Sequence, residues 1–419
     1  MKNQVEIMAP AGSQASLAAA LRAGADSVYF GVGAMNMRAR AGANFTVSDL
    51  RGIVRKCHAC RAKAYLTLNV VVYDEEMEEI QALCREALKA GVDAVIAADP
   101  AVIGYAHAIG LPVHVSVQAN VCNMAAVRFY ARFADVMVLA RELKLSQIRA
   151  IAEAIRRENL CGPSGERVRI EVFAHGALCI AISGKCSMSL AAYGSSANRG
   201  ACYQICRRAY KVTDAETGFE LEIDNKYVMS PRDICTIRVI DQLLDAGVSV
   251  LKLEGRGRSE DYVATVTRAY REAVDAWKAG TFTPERALAW EEGLRRVFNR
   301  DFWQGGYYLG EPWGEWSGCS NSRASEQKIH VARVTRYYAR SQVAEFYLEA
   351  GDLETGQTIL ICGPTTGALR VVLEEMRQDI AGETVAVERA VKGTAVYVAV
   401  PERVRRNDRV YLLQPRRLS

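Results

Sequence analysis

The sequence predicts an α/β protein: a (β/α)8 TIM-like barrel with a cysteine-rich insertion after strand seven, followed by a small C-terminal β-barrel. Three observations predict it. Over residues 1–280, eight short β-rich runs alternate with amphipathic helical stretches, which is the pattern of parallel βα units. Near Gly280 that rhythm stops, and from Ile329 onward short alternating strands are broken by turns. A doubly wound open sheet is the alternative for the first part, but the Gly-rich phosphate fingerprint that usually marks one follows none of the strands.

The expected barrel strands are Val5–Ala9, Ser27–Gly31, Ala64–Val70, Ala94–Asp99, Val113–Ala119, Val136–Ala140, Ile170–Ala174 and Val250–Glu254. Between them, Ser13–Ala23 is alanine-rich, Val47–Arg61 follows a Thr46 cap with Asp49 in its first turn, and Glu75–Ala90 keeps apolar residues at helical spacing. Tyr227–Ser230 reads either as a ninth strand or as the entry to a helix over Pro231–Ala246. Residues 281–328 form a linker: a helix over Pro284–Arg296, an aromatic and glycine-rich run from Phe298 to Gly310, and a loop from Trp313 to Ser325. Residues 329–419 carry strands at Val331–Tyr337, Val343–Leu348, Thr358–Ile361, Val385–Val391, Ala395–Val400 and Arg409–Leu413, with turns at Gly351-Asp352 and Gly363–Gly367. A small closed or Greek-key β-barrel fits. Arg403, Arg405, Arg406, Arg409, Arg416 and Arg417 gather at its end, which suits either a phosphate backbone or a solvated tail.

Composition narrows the function classes. The 53 Lys+Arg against 48 Asp+Glu give a net +5, which permits a polyanionic partner without demanding one. No apolar run approaches the length of a membrane span. The start, Met1-Lys-Asn-Gln-Val-Glu, lacks the basic and apolar regions of a signal peptide, so the expected location is cytoplasmic, with thiols reduced. There is no His-Glu-x-x-His, Gly-x-Ser-x-Gly or Walker loop, which weighs against ordinary hydrolases.

The chemical signal is densest between Glu171 and Cys235. Five of the twelve cysteines lie there, Cys179, Cys186, Cys202, Cys206 and Cys235, separated by six, fifteen, three and twenty-eight residues. Glycine, serine and arginine flank them, as in loops that converge on something. Structural zinc usually uses two short Cys-x-x-Cys knuckles, whereas an iron–sulfur cluster accepts thiolates from dispersed loops. Unligated thiols are the third possibility. Cys57-His-Ala-Cys60 sits late on a helix without a partner pair and reads as incidental. In a barrel of this kind the active site lies where the strands end. Those ends here are polar or charged: Asn69, Asp99, Gln118 with Asn120, Arg141-Glu142, His175, and Glu254 with Arg256, besides the stretch from Gly31 to Arg40.

The run Glu171-x-Phe173-x-x-Gly176-Ala-Leu-Cys179-x4-Gly184-x-Cys186-x-Met188-Ser189 resembles the signature of the peptidase U-32, or collagenase-like protease, family. The resemblance continues through Met8–Gly12, Asp26–Gly31, Ser196–Cys202, Ser230–Asp233 and Lys252–Arg256. The last 90 residues look like the family's C-terminal extension, itself similar to the second, β-barrel domain of translation GTPases. The resemblance implies several activities. Some relatives were named proteases, others hydroxylate a tRNA wobble uridine or a large-subunit rRNA cytidine, and others hydroxylate the ubiquinone ring. The hydroxylating members carry a 4Fe-4S cluster on four cysteines, and those acting on RNA depend on prephenate. Carried onto this chain, Cys179, Cys186, Cys202 and Cys235 are the expected ligands, with Cys206 the spare. His175 and Glu254 are the candidates for proton transfer, beside Arg141, Gln118 and Asn69 in the catalytic set. Arg40, Arg199 and Arg256 are expected to bind substrate, a ring of guanidiniums suiting a small dicarboxylate. The implied reading is an iron–sulfur RNA hydroxylase that 5-hydroxylates a tRNA wobble uridine with prephenate as the hydroxyl source, with a collagenase-like peptidase, a 23S rRNA cytidine hydroxylase or a non-enzymatic RNA-binding module as alternatives.

Overall fold

A computed structural model describes residues 5–40, 45–221, 229–304, 306–310, 316–319 and 321–416. Strands β1 (Glu6–Pro10), β2 (Ser27–Phe30), β3 (Lys63–Leu68), β4 (Ala94–Ala97), β5 (Val113–Val115), β6 (Val136–Val138) and β7 (Arg169–Gly176) pair in sequence order, each parallel to the last. The cysteine-rich insertion follows, with helix Met188–Tyr193, the hairpin β8 (Val212–Thr213) and β9 (Glu220–Leu221), and β10 (Asp233–Cys235). Then β11 (Val250–Leu253) pairs with β7 and β1 and closes an eight-stranded parallel barrel. The outer helices are α1 (Gln14–Arg22), α2 (Leu50–Ala59), α3 (Met77–Ala90), α4 (Pro100–Ala108), α5 (Met124–Tyr130) and α6 (Leu145–Arg157). After α7, the insertion helix, come α8 (Ile240–Asp245), α9 (Glu260–Ala279) and α10 (Pro284–Arg295).

The strands are buried on both faces, because helices cover the outside and side chains fill the inside. Met8, Tyr29, Tyr65, Ile96, Val136 and Val250 form one interior cluster. The charges buried with it are paired, as burial requires. Glu6 meets Arg169 at 2.8 Å and accepts from the Tyr65 hydroxyl at 2.8 Å, and Lys252 meets Glu171 at 2.7 Å. Helix α1 starts at a Ser13 capping box with Ser16. Helix α9 turns Tyr262, Val266, Tyr270, Val274 and Trp277 inward at three- and four-residue spacing.

All eight expected barrel strands are present, within a residue or two at most ends. The helix expected over Pro231–Ala246 needs correction. Residues 233–235 are β10, antiparallel to β7 and parallel to β12 (Phe302–Trp303), and the α-helix begins only at Ile240. Tertiary pairing outweighs helical propensity here: the Thr236 hydroxyl donates to the Ala174 carbonyl at 3.0 Å and pins the segment to the barrel. Tyr227 and Val228 lie outside the described residues, as do Gly305, Trp313 and Arg417.

The C-terminal strands are β13 (Glu326–Tyr338), β14 (Val343–Leu348), β15 (Leu353–Glu354), β16 (Thr358–Gly363), β17 (Gly367–Val372), β18 (Met376–Ile380), β19 (Glu383–Val387), β20 (Arg389–Ala390), β21 (Ala395–Ala399) and β22 (Arg409–Pro415). Eight of them form one antiparallel sheet in the order β17-β16-β22-β13-β14-β21-β18-β19, around a separate apolar cluster that includes Val334, Phe346, Ile361 and Val398. Strands β17 and β18 were not expected from the sequence, and the single run Val385–Val391 is two strands. Strand β17 packs on α1 and α9 of the barrel. No helix among the described residues is long and apolar enough to cross a membrane.

Candidate active site

The strand ends and the cysteine insertion enclose a cavity at the C-terminal mouth of the barrel, lined among others by Asn69, Gln118, Arg141, Phe173, Cys179, Cys202, Cys206 and Glu254. Its charge is lopsided. Among the described residues, Arg38, Arg141, Arg207, Lys252, Arg256 and Arg300 contribute six cations to the lining, against one carboxylate, Glu254. Each cation is held in place. Arg256 donates from Nη1 to Asn36 Oδ1 at 3.0 Å and to Thr67 Oγ1 at 2.9 Å, and burial pushes its guanidinium down to about 10. Arg141 donates to Ser183 Oγ at 2.7 Å, while its buried Nε has no hydrogen-bond partner. Arg207 donates to the carbonyls of Pro231, at 2.7 Å, and Leu178.

Glu254 accepts from Arg38 Nε at 3.2 Å and Nη2 at 2.9 Å. Burial alone would raise its carboxyl, but Arg38, Arg258 and Arg256 outweigh burial and hold it below the usual carboxylate range. Asn69 and Gln118 are joined side chain to side chain at 3.1 Å, and Asn69 Oδ1 also accepts from the Met37 amide at 3.2 Å.

The thiols divide into two places. Cys179, Cys202 and Cys206 line the cavity, and Cys186 is within electrostatic reach of Cys206. All four are half-buried and in no disulfide. Burial raises the Cys206 thiol to about 11; Arg207 opposes that, and the neighbouring Cys179, Cys202 and Cys186 add to it. Three thiols within electrostatic reach of Cys206 fit a cationic centre that would stabilise them all as thiolates. As they stand, no three His, Cys, Asp or Glu side chains among the described residues are close enough to hold a single metal ion.

Cys235, the expected fourth ligand, stands apart from the other three. It is fully buried on β10 opposite His175, with Tyr270 of α9 as its neighbour, and burial pushes its thiol up to about 12. Cys206, on the short turn Ile205–Arg207 that closes over the mouth, stands with the other three instead.

Three more expected residues are not at the cavity. His175 belongs to a bulge where β7 slips against β11 between Lys252 and Leu253. Phe173, paired with Lys252, faces the cavity, whereas His175, paired with Leu253, turns outward among Tyr262, Tyr270 and Phe302. Burial lowers its imidazole to about 3, with Glu254 opposing, so the ring is neutral; it does not itself line the cavity. Arg199 is paired with Glu76 at 2.9 Å, and Arg40 stacks on Tyr203; neither lines the cavity. Conversely, Arg38, Arg207, Lys252 and Arg300 were missed. Arg38 and Arg207 lie in loops with no periodicity, and the adjacency of Arg207 to Cys206 was the one available signal.

Residues 12–318 match the family described as Peptidase family U32. A Porphyromonas gingivalis protein named collagenase is 51% identical over 414 residues, covering 99% of this chain and 99% of its own length. The tRNA hydroxylation protein P1 of Bacillus subtilis is 34% identical over 303 residues, covering 71% of this chain and 69% of its own. The 23S rRNA 5-hydroxycytidine C2501 synthase of Escherichia coli is 35% identical over 278 residues, covering 65% of this chain and 40% of its own.

Proposed function

The chain belongs to peptidase family U32, and from that premise we propose that it is an RNA hydroxylase. In its specific form the proposal is 5-hydroxylation of a tRNA wobble uridine, with a 4Fe-4S cluster on Cys179, Cys186, Cys202 and Cys206 and prephenate as the hydroxyl source. The relatives named for tRNA hydroxylation and rRNA hydroxycytidine synthesis support the reaction class. The observation that carries the reading is a cavity lined by three thiols, with a fourth within electrostatic reach of one of them, and, among the described residues, by six cations and one carboxylate.

When bound, the cluster supplies a redox centre at the barrel mouth. The chain's own residues do the rest. Arg141, Arg207 and Arg256 bind a dicarboxylate, the partnerless Nε of Arg141 offering one ready donor. Arg38 holds Glu254 ionised at neutral pH, so Glu254 accepts hydrogen bonds and fixes the guanidinium beside Cys202. Asn69 and Gln118 present amide groups suited to a pyrimidine edge. Phe173, Val117 and Leu178 keep that side of the cavity apolar. A uridine must leave its stack to enter, and an anticodon loop already presents one unstacked.

A peptidase reading draws on the relative named collagenase. It needs a nucleophile beside a base. Among the described residues the cavity lining holds no histidine, and its carboxylate Glu254 is engaged by Arg38.

Mass spectrometry of nucleosides from a strain lacking this gene and any paralogue tests the proposal. Hydroxylated pyrimidine should vanish from its tRNA, return with the wild-type gene, and fall about tenfold or more with Arg141→Ala, the loss expected for a buried charged hydrogen bond. Hydroxylation that persists in the deletion strain contradicts the reading, and gelatin cleavage by the purified protein would favour the peptidase.

A further inference from the structure

Outside the cavity, its rim carries aromatic rings and guanidiniums laid face to face. Tyr193, at the end of α7, and Tyr203 stack with centroids 4.7 Å apart and planes within 24°. The Arg40 guanidinium lies 3.9 Å from the Tyr203 ring centre, and that of Arg208 lies 5.4 Å from Tyr193. A second ladder stands beside this one: Arg199 lies 4.0 Å over Tyr73, held there by Glu76. The segment Asn198–Tyr203 joins the two. The Val71 amide donates to Asn198 O at 3.2 Å, and the Arg40 amide to Gly200 O at 3.4 Å.

These rings are not core. Tyr73 is 52% exposed and Tyr193 43%. Nor are they remote from the chemistry, since Cys202 and Gln204, on either side of Tyr203, both line the cavity. Flat exposed rings backed by cations suit a ligand that is itself flat and anionic: unpaired nucleotides stack on tyrosine and put their phosphates near arginine. A peptide offers few flat faces and no regular negative charge, so it makes little use of either ladder.

We propose that Tyr73 and the Tyr193–Tyr203 pair form a stacking platform for the unpaired nucleotides flanking the target base, with Arg40, Arg199 and Arg208 facing the phosphates. The proposal rests on the RNA hydroxylase reading and gives a role to Arg40 and Arg199, which do not reach the cavity. Stacking of this kind is sequence-tolerant: it fixes where the strand lies, while the cavity selects the base.

The test is fluorescence anisotropy of a labelled oligouridylate with the full-length protein purified without oxygen, together with turnover of bulk tRNA from the deletion strain. Tyr73→Ala and Tyr193→Ala should each weaken oligouridylate binding roughly five- to hundredfold at unchanged iron content, and Tyr73→Phe and Tyr193→Phe should bind within about twofold of wild type. Alanine variants that bind as the wild type does, while the wild type hydroxylates tRNA, overturn the platform and leave the hydroxylase reading intact. A wild type that binds gelatin but neither oligouridylate nor tRNA overturns both.

Discussion

At the scale of single residues, a bulge and a turn decide the chemistry. His175 ends a run whose alternation would point it, like Phe173, into the barrel, and the slip between β7 and β11 sends it the other way. A bulge is a pairing event between strands distant in sequence, so nothing in Glu171–Gly176 by itself reveals it. The outward position has a consequence for stability. Above pH 6.5 the ring is neutral in folded and unfolded chains alike; as pH falls from there towards 3, the unfolded chain takes up a proton that the folded one refuses. Stability therefore falls by roughly 1.4 kcal/mol per pH unit across that window on account of this group alone. His175→Phe, which keeps an aromatic ring among Tyr262, Tyr270 and Phe302, should remove that slope; urea melts of both proteins from pH 6 to pH 4 would measure it. Parallel pH profiles would mean the imidazole is protonated in the folded chain. The thiols teach a similar lesson. Spacing places Cys206 and Cys235 equally well, and only the pairing of β10 with β7 takes Cys235 out of the group.

At the scale of elements, the eight barrel strands were legible because each short apolar run ends in a polar residue and leads to an amphipathic stretch. Strand β10 was not, because three residues carry no period of their own and the segment takes its shape from β7. Strands β17 and β18 were hidden by charged residues at exposed positions, such as Arg370, Arg377 and Asp379. The end of β2 shows how an element positions the site. A Cβ on Gly31 would lie 2.5 Å from Arg256 Nη1 and 2.6 Å from the Asn36 side chain, the pair that seats Arg256. Gly31→Ala should therefore cost about 1–3 kcal/mol, as overpacking does. It should also weaken dicarboxylate binding more than Gly52→Ala on α2, where a Cβ meets nothing within 4 Å. Thermal melts and calorimetric titration with prephenate would measure both effects, and equal binding by the two variants would place Arg256 outside the dicarboxylate site.

At the scale of the whole molecule, a barrel and an antiparallel sheet, each with its own apolar cluster, meet closely. A Cβ on Gly367 of β17 would lie 2.8 Å from the Ala19 amide nitrogen of α1, so glycine lets the two backbones approach. Lys328 reaches Asp261 of α9 at 2.7 Å across the same junction. The change from helical to strand rhythm near Gly280 announced two bodies; their docking depends on side chains far apart in sequence and could not be read there. The modest +5 net charge likewise concealed a cavity in which, among the described residues, cations outnumber carboxylates six to one. That concentration of cations beside the thiols underlies the proposed redox site, which stands or falls on what the thiols hold. Iron and acid-labile sulfide should be measured on protein purified without oxygen, in wild type, Cys206→Ala and Cys235→Ala. About four irons and four sulfides per chain in the wild type and in Cys235→Ala, lost in Cys206→Ala, is the predicted result. Iron-free wild type, or a cluster that survives Cys206→Ala and disappears with Cys235→Ala, would contradict it.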